Sequence, residues 1–287
     1  MFLERQVTTI QTKISGRYLL NCAIVFLVVI VTNVTPVEIT RLSVPRWVQN
    51  GTEDSVVLDC EYTLTTDDDR LVVKWFLNDD PEPIYQWIPE LDSRHASRRL
   101  QGRLNMDYKV SPSNGYTKYR ALNILRPTTD LSGRYSCHVG SLSNQDSEDQ
   151  IMIVYAPPRI FDFNFTKFAP GMAKFTCEAD RVYPLPRVSM YRRTEADDPR
   201  PISSTQTIVH QKNGAFTIQI SQDIRDREFP SGQPVTFECI LSIPGTNFQL
   251  QRRMIYYPGE DVDHAITSTG CVFLLTIMFT VLHYLIS

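Results

Sequence analysis

Asp130-Leu131-Ser132-Gly133-Arg134-Tyr135-Ser136-Cys137 is the stretch from which the fold is read. It holds a carboxylate, a glycine suited to a tight corner, and a tyrosine two residues before a cysteine. Upstream, Val56-Val57-Leu58-Asp59-Cys60-Glu61-Tyr62 alternates apolar and polar, the period of a half-buried strand. Between the cysteines, Lys74-Trp75-Phe76 supplies a large ring. On a strand there, Val73, Trp75 and Leu77 share one face, and Lys74 and Phe76 share the other. Trp75 follows Cys60 by 15 residues, and Cys137 follows it by 77.

Cysteine, tryptophan, tyrosine and second cysteine, in that order and spacing, make residues 36–155 resemble an immunoglobulin variable-type domain. The resemblance implies an all-β fold of two packed sheets. Cys60 would bridge the core to Cys137, Trp75 would pack on that bridge, and the Tyr135 hydroxyl would bond back to the preceding corner. The long gap between the cysteines leaves room for the extra strands of the variable type. A further implication is a bidentate ion pair between Arg103, at the start of strand D, and Asp130 of the E–F corner. The expected strands are A over 43–48, B ending near 62, C over 71–77 and C′ over 83–89. A basic loop over 93–99 follows, then D from 103, E over 119–125, F over 134–140 and G over 151–155.

Residues 156–159, with two prolines, form a short stiff linker. Residues 160–258 then resemble a constant-type immunoglobulin domain more loosely. Cys177 and Cys239 lie in strand-like stretches 62 residues apart, but Met190 stands where strand C should bring tryptophan. Phe237 stands where the corner tyrosine belongs, so that hydroxyl anchor is missing. Of six cysteines, Cys22 and Cys271 fall in the terminal apolar stretches. The remaining four allow three connectivities, and the strand pattern around each selects Cys60–Cys137 and Cys177–Cys239. Two structural disulfides point to an oxidising compartment.

The ends read as sorting signals. Residues 1–35, a basic start and then an apolar run, are expected to be a secretory signal peptide. Residues 259–270 form a polar spacer before an apolar tail over 271–287. That pattern fits a glycolipid-anchor signal with attachment at Asp263 or Ser268; a single membrane span is the alternative. Asn33, Asn50 and Asn164 each begin an Asn-x-Thr acceptor for glycosylation.

Net charge is −3, which gives no reason to expect nucleic acid as a partner. No serine elbow, phosphate loop, Cys-x-x-Cys or paired histidine motif is present, and Asp67-Asp68-Asp69 lacks the alternating oxygens of a calcium loop. No catalytic residue, cofactor or metal is expected. Attention therefore falls on the outward face of strands C, C′, F and G. Phe76 must point out if Trp75 points in, and His138 on strand F joins it. Either Tyr85 with Trp87, or Ile84 with Ile88, completes an aromatic or aliphatic partner-binding patch. Through Val72-Val73-Lys74-Trp75-Phe76 and Pro83-Ile84-Tyr85-Gln86-Trp87, the first domain is similar to insect beaten-path-type recognition proteins, and more distantly to nectins and butyrophilin-like ligands. This implies recognition of another cell-surface protein, itself of the immunoglobulin superfamily. The alternatives are self-association as a homophilic adhesin, and glycan binding through Arg94, Arg98 and Arg99.

Overall fold

The computed structural model describes residues 37–64, 68–194, 198–230 and 232–259. The expected signal peptide, Asn33, Asp263, Ser268 and the apolar tail lie outside the described residues. The chain divides into two compact units, one ending at Val154 and one beginning at Tyr155.

Nine strands build the first unit: β1 (Glu38–Ser43), β2 (Trp47–Gln49), β3 (Ser55–Thr63), β4 (Val72–Leu77), β5 (Tyr85–Ile88), β6 (Ser93–Ala96), β7 (Leu122–Leu125), β8 (Gly133–Gly140) and β9 (Gln145–Tyr155). One sheet runs β1-β3-β7 and the other β2-β9-β8-β4-β5-β6. The period-two pattern of the sequence explains the layering. In β3 and β4 every second residue is buried, so Leu58, Cys60, Val73, Trp75 and Leu77 all enter the space between the sheets. Cys60 and Cys137 are bonded across it. Trp75, fully buried, directs its indole N–H to the Arg120 carbonyl at 3.0 Å, so the ring is packed without stranding a donor.

The octapeptide forms the corner leading into β8. Tyr135 is fully buried, and its hydroxyl donates to the Leu131 carbonyl at 2.8 Å. Gly133 has a local reason: a Cβ there would fall 1.9 Å from Asn78 Oδ1. Asn78 occupies that space to accept the Arg134 N–H at 2.9 Å and to donate to the Ser132 carbonyl at 3.3 Å. At the same corner Arg103 donates to Asp130 Oδ2 at 2.7 Å and to Oδ1 at 3.4 Å, with Thr128 Oγ1 a further acceptor at 2.5 Å.

Several boundaries differ from those expected. The basic loop over 93–99 is partly strand, because β6 pairs with β5 from Tyr85↔Ala96 to Ile88↔Ser93. The region of strand D contributes a single bridge, Leu104↔Ile124, rather than a strand. Strand G starts at Gln145, and the A segment is split into β1 and β2 on different sheets.

The second unit repeats the plan with β10 (Ile160–Ala169), β11 (Met172–Val182), β12 (Arg187–Arg193), β13 (Arg200–Pro201), β14 (Gln206–Lys212), β15 (Ala215–Arg225), β16 (Val235–Ser242) and β17 (Gln249–Tyr256). Its sheets run β10-β11-β15-β14 and β13-β12-β16-β17, and Cys177–Cys239 joins them. Met190 is buried in register with Cys239. Phe237 stacks on Phe175 with centroids 4.1 Å apart. The hydroxyl missing from position 237 has a replacement elsewhere: Tyr256, from β17, donates to Asp226 Oδ1 at 2.5 Å at the corner after β15.

One pair in the first unit had no sequence signal. Arg120 clamps Asp59 through Nε–Oδ1 at 2.8 Å and Nη2–Oδ2 at 3.0 Å, with both side chains largely buried. Removing one partner leaves the other charge uncompensated, which costs about 3–5 kcal/mol for a buried pair. Arg120→Met is therefore expected to lower stability by about that amount in urea unfolding. Replacing both partners by apolar residues should cost much less.

Candidate protein-recognition face

The outward face of the six-stranded sheet is built from the residues that alternate with its core. β4 supplies Val72, Lys74 and Phe76, all part-exposed. β8 is paired to it with Phe76↔Ser136, Lys74↔His138 and Val72↔Gly140, which puts those residues on the same face. β9 adds Gln145, Ser147, Asp149 and Ile151 through its register with β8. The Phe76 and His138 rings meet at 4.7 Å between centroids, tilted by 57°. Beside them lies an open concavity of about 650 Å³, lined by Val72, Lys74, Phe76, His138, Gln145 and Ser147 among others.

Tyr85 and Trp87 do not belong to this face. The register Trp75↔Tyr85 and Val73↔Trp87 sends both into the core, where they are 3% and 0% exposed. The Tyr85 hydroxyl donates to the Tyr119 carbonyl at 3.0 Å, and Trp87 meets Tyr119 edge-on at 5.9 Å. The strand parity thus excludes the aromatic pair, and Gln86 and Ile88 are the outward residues of β5. Ile84 is buried as well, leaving Ile88 as the apolar contribution from this strand.

The arginine cluster is also broken up. Arg94 turns inward, its guanidinium 3.8 Å above the Tyr119 ring and bonded to the Met106 carbonyl. Arg98 and Arg99 remain exposed. Asp68 is buried, and its Oδ1 accepts the Ser141 hydroxyl at 2.8 Å, tying the loop before β4 to the loop after β8. Among the described residues no group of three or more His, Cys, Asp or Glu is placed to hold a metal ion. No helix there is long and apolar enough to cross a membrane. Asn50 and Asn164 are both exposed.

No family model matches the sequence, and no curated protein matches it. Bovine butyrophilin, a solved structure, superposes with a TM-score of 0.52 at 16% identity, covering 74% of this chain and 95% of its own. The chain has the immunoglobulin fold twice over. A chain from the complex of ICOS with ICOS-L and an anti-ICOS-L VNAR domain gives 0.48 at 17% identity, covering 74% and 100%. Rst D1-D2 gives 0.47 at 14%, covering 77% and 98%. At these identities the likeness concerns the fold.

Partial burial and then the nearby Lys74 charge both hold the His138 pKa below the ordinary histidine value. With the folded pKa below the unfolded one, protonation favours the unfolded chain, and stability falls as pH drops through the ordinary histidine range. An NMR titration should place the His138 midpoint below that of an unfolded histidine. Lys74→Ala should raise that midpoint without restoring it, since the larger cause, burial, stays.

Proposed function

We propose that the chain is a cell-surface recognition protein that binds another protein through the outward face of β4, β8 and β9. The observation carrying this reading is Phe76. An aromatic ring at the middle of a sheet face, part-exposed and held against His138, has the composition of an interface hot spot. The adjoining concavity offers a partner side chain both apolar and hydrogen-bonding walls. Two disulfides support an oxidising compartment, as an extracellular protein requires. Exposed acceptors at Asn50 and Asn164 fit glycosylation there. The first sandwich keeps its similarity to beaten-path-type proteins as part of this proposal, with a lipid-anchored C-terminus at Asp263 or Ser268, or a single span, as the tether. The butyrophilin likeness supports the fold on which the reading stands. Glycan binding is disfavoured because Arg94 is committed to Tyr119 and Met106 rather than to solvent.

The test is a screen of the multimerised ectodomain, residues 36–263, against cell-surface ectodomains, since avidity makes weak contacts visible. Phe76→Asp is expected to weaken a hit by at least about 30-fold, the effect of losing about 2 kcal/mol. The variant's unfolding midpoint should stay near that of the wild type. Trp87→Ala should instead destabilise the first unit by about 3–5 kcal/mol, because that ring is core. Binding untouched by Phe76→Asp would move the site off this face.

A further inference from the structure

Among the described residues, every sheet edge but one is guarded. β6 is four residues long, β2 three and β13 two, with Pro201 in the last. β7 has Leu104 bridged beside it at Ile124. β1 and β10 each carry a register shift, charged side chains and, in β10, the Asn164 acceptor. β17 carries Arg252 and Arg253 side by side. Short length, bulges, proline and charge are the devices that keep edges from pairing with other chains.

β14 has none of them before its last residue, Lys212. It ends its sheet among the described residues, pairs with β15 in unbroken register from Gln206↔Ser221 to Lys212↔Ala215, and all seven of its residues are exposed. Its sequence, Gln206-Thr207-Ile208-Val209-His210-Gln211-Lys212, holds one permanent charge, at the last position. At its centre Ile208 is 51% exposed and Val209 43%.

We propose that β14 pairs antiparallel with β14 of a second copy, joining two four-stranded sheets into one across a two-fold axis at Val209. The strand is complementary to itself in that register. Val209 meets Val209, Ile208 meets His210, Thr207 meets Gln211, and Gln206 meets Lys212. No like charges face each other, and the two β-branched residues at the centre find apolar or ring partners. Opposed residues in this arrangement lie on the same side of the sheet, so Ile208 and His210 of both copies share one face. A shift by two residues either way would leave one strand end unpaired. The contact is one strand wide, so it is weak in dilute solution and gains its effect where copies are crowded or tethered. It uses a surface on the second unit, and it stands whether or not Phe76 is a binding residue.

Cysteine scanning of the full chain displayed on cells tests both the contact and its register. Antiparallel partners across a strand pair sit about 4.5–5.5 Å apart between Cα atoms, within disulfide reach. Val209→Cys, opposite itself, is expected to give a dominant covalent dimer on a non-reducing gel. Thr207→Cys and Gln211→Cys, each opposite the other, should form little dimer alone and a strong one when mixed. Wild-type chain, with its own Cys22 and Cys271, sets the background. Adding Ile208→Lys to Val209→Cys should return dimer to that background, while surface level and disulfide-dependent folding stay intact. Equal cross-linking at 207, 209 and 211 would mean random collision and overturn the proposal. So would a correctly displayed Val209→Cys chain that stays monomeric, or one that cross-links to a different protein.

Discussion

Trp75 lies opposite Cys137 on one side and opposite Tyr85 on the other. Because facing residues in paired strands share a side, those two pairings set the parity of the whole six-stranded sheet. Once the Trp75 ring is committed to the core, Tyr85 and Trp87 must follow it inward, and Lys74, Phe76, Ser136 and His138 must go out. Sliding either neighbouring strand by one residue would reverse its faces, placing the Cys137 sulfur or the Trp87 ring in solvent and breaking the core. The composition of this outward face is therefore a by-product of burying a tryptophan. Its chemistry is whatever the sequence places at the outward positions.

This also explains what was legible in the sequence. The cysteines, Trp75 and Tyr135 were readable because each has one physical role at one spacing, and alternation in β3 and β4 follows directly from one buried face. The parity of β5 was not readable. Pro83-Ile84-Tyr85-Gln86-Trp87-Ile88-Pro89 is apolar on both phases, so composition alone left two choices, and pairing with β4 decided between them. The Asp59–Arg120 clamp escaped for a different reason. Its members are 61 residues apart, and nothing local distinguishes a buried charge from a solvated one until the strands are assembled. The basic loop misled because three arginines within six residues suggest a shared target, whereas Arg94 sits on the inward phase of β6.

The two sandwiches reach the same corner by different chemistry. In the first, the tyrosine of the strand entering the disulfide bonds back to its own corner over four residues. In the second, phenylalanine holds that position and extends an aromatic stack through Phe175, Phe165 and Tyr256. The hydroxyl comes from Tyr256 on the last strand, bonded to Asp226, whose other oxygen accepts the Gly259 N–H at 2.8 Å. The last strand of the second unit is thus part of what closes its corner, so trimming the chain at Tyr256 would open the fold there rather than shorten it harmlessly.

Gly133 and Asn78 lie 55 positions apart, yet each defines the space available to the other. Any side chain at 133 strikes the Asn78 amide, and any residue at 78 without that amide leaves the Arg134 N–H and the Ser132 carbonyl to find other partners. Neither change is mild by itself, and contacting residues of this kind do not act additively. In descent the glycine is held on two counts: the asparagine fills the space beside it, and its φ of +155° disfavours a side chain there even in a lineage that gives up the asparagine.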